Sequence, residues 1–259
     1  MYMKFTVENL EFYLLVLMRI SAFIMAAPIF SYSTIPRTVK FAISFFITAI
    51  VIQIIPVTPL AYTGVVGYAV LVLKETVVGI ILGFMASACI YIINFAGQLM
   101  DMEMGLSMAS LFDPATNIQT TISGSFYTYM VLLTIIVTNM HYYLIRAIVD
   151  SFRYFNVSEA VIGDSAKNVL LDFMPNFFII AFRIILPVFA SMLIINIVLG
   201  TLSKAAPQMN MFVVGLQLKV IVGLLVLVVM VETIPTVTDF IFSQAKEILS
   251  DMIRALTPT

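Results

Sequence analysis

Few residues in this chain could do covalent chemistry, and they are scattered. His141 is the only histidine and Cys89 the only cysteine, and neither stands at metal-ligand or triad spacing from a cluster of carboxylates. No phosphate-binding glycine loop or dinucleotide fingerprint occurs. His141 titrates in the range of a proton relay, but the plainer expectation is a hydrogen-bonded structural histidine at a helix end. Enzymatic activity, a metal or a cofactor is therefore not expected. A single cysteine in an apolar stretch excludes an internal disulfide.

The remaining chemistry is ionic, and it lies where ions are costly. Arg19, Lys74, Glu75, Arg183, Lys219 and Glu232 all fall inside long apolar stretches. Each costs about 2.5 to 3.5 kcal/mol at a lipid-facing helix centre. Six together would cost on the order of 15 to 20 kcal/mol, so most must face a helix interface, a wet cavity or no lipid. Lys74 and Glu75 are neighbours that point about 100° apart on a helix, so each is expected to pair with a different helix or subunit.

The elements that carry these charges follow from composition. Sixty-two per cent of the residues are hydrophobic and 10% are charged, with a mean hydropathy of +1.10, which marks an integral membrane protein. The apolar runs lack the period-2 alternation of membrane strands, so helices must satisfy the backbone. With a net charge of −1 and no basic run, nucleic acid is not an expected partner. Glu11 and Arg19 interrupt the first apolar run, so a cleaved secretory signal is not expected.

A bilayer core of about 30 Å needs about 20 apolar residues, and six segments qualify: roughly 10 to 30, 39 to 59, 65 to 99, 123 to 150, 169 to 200 and 212 to 243. The third, fifth and sixth exceed one upright span, with breaks expected at Gly79 and Gly83, at Pro175 and Pro187, and at Pro235. Six spans would put Lys4, Arg146, Arg153, Lys167, Lys246 and Arg254 opposite Arg37, Lys40 and Lys204, favouring a cytoplasmic N-terminus. In the last sixteen residues Ile248, Leu249, Met252, Ile253 and Leu256 share a helical face, as in a helix lying on a membrane surface or a partner.

Three short motifs stand out. Gly79 and Gly83, followed by Ser87, form a small-xxx-small stripe for close helix packing. Lys204, Pro207, Gln208, Asn210 and Phe212 lie in a turn between two apolar helices, where Gln208 and Asn210 can satisfy exposed backbone groups. Residues 97 to 124 form a polar interruption with three acids, no Lys or Arg, and Met100, Met102, Met104 and Met108. Asp113-Pro114 disfavours helix at its middle. The interruption reads either as an external loop or as a pore constriction, since clustered methionines fill an irregular gap and still yield.

The spacing of these residues resembles the FliR export-gate family of bacterial flagella and its injectisome counterparts. The resemblance runs along nearly the whole chain. It begins with Arg19, Pro28 and Pro36 and continues through Glu75-x-x-x-Gly79-x-x-x-Gly83, Ala96-Gly97-x-x-x-Asp101-x-x-x-Gly105 and Asp113-Pro114. It ends with Gly200-x-x-x-Lys204-x-x-Pro207-Gln208-x-Asn210-x-Phe212-x-x-Gly215-x-x-x-Lys219. The chain departs from the family pattern at Lys204, where arginine is usual, and at Gln217, where proline is frequent.

The resemblance implies an all-α, polytopic membrane protein with long, broken helical hairpins, held in a spiral hetero-oligomer with FliP and FliQ and contacted by FlhB. It implies a FliP-like part over 1–155, a FliQ-like hairpin over 169–243 and an amphipathic tail over 244–259. A plug over about 102–122, with Met102, Met104, Gly105, Met108, Asp113 and Pro114, would close a channel for unfolded flagellar proteins in the inner membrane at the flagellar basal body. Alternatives are a virulence export gate, a scaffold without gating, or a secondary transporter, which also uses broken helices and buried charges.

Overall fold

A computed structural model describes residues 7–107 and 121–258, and all of its regular elements are helical. In chain order these are α1 (Val7–Ala26), α2 (Arg37–Val51), α3 (Gly64–Met104), α4 (Ile122–Val137), α5 (His141–Tyr154), α6 (Asp164–Ala205), α7 (Met211–Met230), a 3-10 turn (Val231–Thr233) and α8 (Ile234–Ala255). Four of the helical stretches are long and apolar enough to cross a membrane: in α1, in α3, in α6, and in α7 with α8 together. The number is five if α4 and α5 count as one broken span.

The described helices fall into two compact units. One gathers the chain up to Cys89, Asn139–Met174 and the residues from Phe242 onward; the other holds Ile90–Thr138 and Pro175–Ile241. In the first unit, α1 buries a stripe of Phe12, Leu15, Val16, Ile20, Phe23 and Ile24, spaced as one face of a helix. Arg19 lies on that same stripe and is fully buried with it.

The expected segments are corrected in four places. The segment 39 to 59 is too short as helix to span: α2 stops at Val51, and 15 residues rise only about 22 Å. This helix is also inside out. Lys40, Ser44 and Thr48 are buried while Phe41, Phe45, Phe46 and Ile50 are exposed. Lys40 donates to the Ser31 carbonyl at 2.9 Å, and the Ser44 and Thr48 hydroxyls donate to carbonyls four residues back.

Second, α3 runs unbroken for 41 residues through Gly79 and Gly83, a rise of about 62 Å. Glycine lowers helix propensity by about 1 kcal/mol without removing a hydrogen bond, and here both glycines seat a neighbouring helix. Third, α6 runs for 42 residues through Pro175 and Pro187, as membrane helices can when local adjustment re-satisfies the freed carbonyls.

Fourth, the segment 123 to 150 divides at residues 138–140, where Asn139 takes φ 59°, a backbone state that asparagine tolerates better than most residues. The break near Pro235 does occur: the 3-10 turn precedes Ile234, and the proline sits in the first turn of α8, where its missing N–H costs nothing. Because α2 falls short and α4 and α5 divide, the six-span count behind the charge asymmetry does not hold.

The C-terminal amphipathic face is covered by the chain itself. Ile248, Leu249, Met252 and Ile253 at the end of α8, and Leu256 just beyond it, are all buried within the first unit, and the Leu256 carbonyl accepts from Val161 N–H at 2.9 Å. Lys246 stands 5.1 Å from the Tyr143 ring centre and 4.9 Å from that of Phe242, where a cation is attracted by the ring face.

Candidate functional site

The apolar stripe of α1 brings Arg19 against α3, where Glu75 is also fully buried. Arg19 Nε donates to Glu75 Oε2 at 2.5 Å and Nη2 to Oε1 at 3.1 Å, a bidentate fork that arginine suits and lysine does not. Two further donors are used too: Nη1 reaches Ser151 Oγ at 3.4 Å and Nη2 the Asn156 carbonyl at 3.3 Å. The guanidinium carbon lies 4.1 Å and 4.6 Å from the ring centres of Phe152 and Phe155, which adds cation–π attraction in a desolvated place.

Lys74 and Glu75 do not part company as their helical angles suggest. Ser158 N–H donates to Glu75 Oε1 at 2.7 Å, and Lys74 Nζ donates to the Ser158 carbonyl at 2.6 Å. The turn after α5 curls between the two side chains, so one residue meets both. Ser158 has φ 74°, a left-handed state that costs an L-residue roughly 1 to 2 kcal/mol. The charged grip holds it there.

The glycine stripe places α1 beside this cluster. A Cβ at Gly79 would run into the Arg19 carbonyl and Ala22, and one at Gly83 into Ala26 and the Phe23 carbonyl. Ser87 Oγ donates to the Ala26 carbonyl at 2.5 Å. Small residues on both helices let the backbones approach closely.

In the second unit a different constellation surrounds the polar interruption. Asp101 is only 4% exposed, and both its oxygens accept from Ser123 N–H, at 3.2 and 3.3 Å. One turn back along α3, a Cβ at Gly97 would run into Gly124 Cα and N, so the two helix backbones touch. Gly124 is itself enclosed by Thr121 Oγ1 and the Asn94 carbonyl. Met104 is fully buried with its thioether over Gly223 of α7, while Met102 is 66% exposed. Gly105 ends α3 at φ 80°, the usual way for a glycine to close a helix. Met108, Asp113 and Pro114 lie outside the described residues.

The other charges and the hairpin turn are also in this unit. Arg183 and Glu232 are exposed and Lys219 is half-buried, and none of the three makes an ion pair among the described residues. The structure thus brings three of the six expected charges together and leaves the other three without an ion pair among the described residues. At the turn, Asn210 caps α7 by accepting from Phe212 N–H at 3.2 Å and Val213 N–H at 3.5 Å. Lys204, Pro207 and Gln208 are exposed, as is Phe212. Gly215 packs on Leu199, joining the two arms just beyond the turn.

His141 starts α5 with its ring 4.3 Å from that of Tyr142. Its Nδ1 is buried without a hydrogen-bond partner among the described residues, which departs from the hydrogen-bonded histidine expected there. Sequence reasoning missed the contacts of Ser151, Ser158 and Asn156 with the charge cluster. Nothing in their spacing points to Arg19, 132 residues from Ser151.

Comparison with known proteins identifies the family. The family described as bacterial export proteins, family 1, matches residues 10–245. The chain is 33% identical to the flagellar biosynthetic protein FliR of Bacillus subtilis over 244 residues, covering 93% of this chain and 94% of that one. It is 31% identical to FliR of Buchnera aphidicola from Acyrthosiphon pisum, over 92% and 89% of the two chains, and 28% identical to FliR of Escherichia coli K12, over 95% and 94%. A membrane-embedded, all-helical chain that matches these proteins over nearly its whole length belongs to the FliR family and is a subunit of the flagellar export apparatus.

Proposed function

We propose that this protein helps to form and to close the channel through which unfolded flagellar proteins leave the cell, in an inner-membrane complex at the flagellar basal body. The observation that carries the reading is the neck formed by Gly97, Asp101, Ser123 and Gly124, which brings together the ends of the segment assigned as plug. A segment pinned at both ends can obstruct an opening without drifting from it. Met102, exposed beside two buried methionines, is placed to adapt to a neighbouring surface as a flexible thioether does. Export itself is powered by the proton-motive force and an ATPase that other proteins supply.

The partners in this reading are FliP and FliQ in one complex, with FlhB in contact, and its parts are a FliP-like region over 1–155 and a FliQ-like hairpin over 169–243. Arg183, Lys219 and Glu232 support an interface on that hairpin, because each stands unpaired on an apolar helix where lipid would disfavour it. Deleting Ser107 to Phe112 is expected to raise the ion conductance of the assembled complex in planar bilayers. Normal assembly with unchanged conductance would overturn the plug assignment.

A further inference from the structure

Within the first unit, α3 turns one narrow apolar face outward. Val66, Val70, Leu73, Val77, Ile80 and Phe84 are between 41% and 79% exposed, while Val78, Gly79, Leu82 and Gly83 among them are packed inward. The six outward residues are spaced four, three, four, three and four apart. That is the a and d seam which a second helix fills with its own side chains, at a crossing of about +20°. From Val66 to Phe84 the seam rises about 27 Å.

Lys74 borders this seam near its middle. It follows Val70 by four residues and precedes Val77 by three, so its side chain lies alongside both. Lys74 Nζ donates to the Ser158 carbonyl at 2.6 Å, and an ammonium has two further hydrogens to give. Of the three charges gathered here, Arg19 and Glu75 neutralise each other, so the ammonium is left over. No carboxylate among the described residues lies within ion-pair distance of it. Glu159, next to Ser158, accepts from Asn156 Nδ2 at 2.9 Å instead.

Lipid does not suit that combination. Asn156 and Glu159 are exposed on the turn that meets Lys74, so polar groups stand about 12 Å from Val66 and about 15 Å from Phe84 along α3. A hydrocarbon layer over the whole seam would cover these groups too, which is costly; a layer that stopped at the turn would leave one arm of the seam bare. A second copy of α3 does not suit it either. Paired about a twofold axis at the centre of the seam, parallel or antiparallel, two copies bring Lys74 against Lys74, and like charges repel.

We propose that this face of α3 seats an apolar helix from a different subunit of the export apparatus, and that this helix carries an Asp or Glu at the height of Lys74. The seam supplies the apolar area, and the ammonium sets the register. The surface belongs to the first unit and needs nothing of the plug reading, which the conductance of the plug deletion decides separately.

The test uses the full complex, with a photo-crosslinking amino acid in place of Leu73 and, in a separate sample, of Ile80. Mass spectrometry of the joined peptides is expected to find one helix of one partner subunit at both positions, with an acidic residue within a turn of the Leu73 crosslink. Failure to join a partner chain, joining to a second copy of this chain, or joining to a helix without such an acid overturns the proposal.

The charge is tested by reversal. Lys74→Glu is expected to lower several-fold the amount of that subunit retained on purification, and exchanging the mapped acid for lysine in the same complex should restore it. Retention that Lys74→Glu leaves unchanged overturns the proposal. So does a folded Lys74→Glu protein that the exchange fails to rescue, because Lys74 then serves only to hold Ser158. Should Lys74→Glu unfold the chain, seen as loss of its melting transition, the reverse arm decides. The mapped acid changed to lysine, with Lys74 intact, should lower retention as far, and unchanged retention overturns the proposal.

Discussion

Ser158 and Glu75, 83 positions apart, are joined by a hydrogen bond of 2.7 Å from the serine N–H to Glu75 Oε1. The carboxylate that neutralises Arg19 is thus also the acceptor that holds a turn with φ 74°. One side chain fastens α1, α3 and the chain beyond α5 in the first unit.

Removing either charge should leave the other buried and unpaired. Arg19→Ala and Glu75→Ala are each expected to cost about 3 to 5 kcal/mol, read as a fall in the melting temperature of the purified protein. Glu75→Gln should cost less than Glu75→Ala, because its amide oxygen can still accept from Ser158 N–H. Arg19→Lys should not rescue, since an ammonium cannot supply the fork.

Substitution at Ser158 separates backbone strain from side-chain contacts. Ser158→Gly relieves the left-handed conformation and should stabilise by up to about 1 kcal/mol. Ser158→Val places a branched side chain in a conformation it rarely takes and should destabilise by about 1 to 3 kcal/mol. Thermal unfolding in detergent would rank Gly above Ser above Val.

Two glycines in the second unit make close contacts of different hardness. A Cβ at Gly97 meets the backbone of Gly124, whereas one at Gly223 meets the side chain of Met104. A methionine side chain can change rotamer and a helix backbone cannot. Gly97→Ala is therefore expected to cost about 1 to 3 kcal/mol and Gly223→Ala distinctly less, as judged by the melting temperatures of the two variants.

The hairpin turn offers a local test. Asn210→Ala removes the acceptor for Phe212 and Val213 N–H and should cost about 1 kcal/mol, while Asn210→Asp or Asn210→Ser should restore most of it. Protease susceptibility of the turn, compared across these variants, would show the order.

Helix type and the apolar stretches were legible in the sequence because lipid imposes a single backbone solution and hydropathy reports it directly. The family was legible too, from motifs such as Gly200 to Lys219 that keep residue type and spacing together. Continuity was not legible: Gly79, Gly83, Pro175 and Pro187 read as breaks, yet the helices run through the glycines because a cost of about 1 kcal/mol yields to tertiary packing, and through the prolines because local adjustment re-satisfies the freed carbonyls. Asn139, with no proline beside it, marked a division that hydropathy passes over. Pairing was also out of reach, since Lys74 and Glu75 meet at Ser158 only through the course of a turn 83 residues away. Asp101 stood inside a recognised motif, but its partner is a backbone N–H, which has no signature in residue type.

The reversed faces of α2 decide which solvent the first unit can tolerate. With Lys40, Ser44 and Thr48 turned inward and Phe41, Phe45 and Phe46 turned outward, bulk water penalises this helix for the side it shows. Once extracted, that aromatic face needs a detergent or an amphipathic polymer as its cover. Stripping the cover would drive folded molecules to associate through their phenylalanines well before any helix melts.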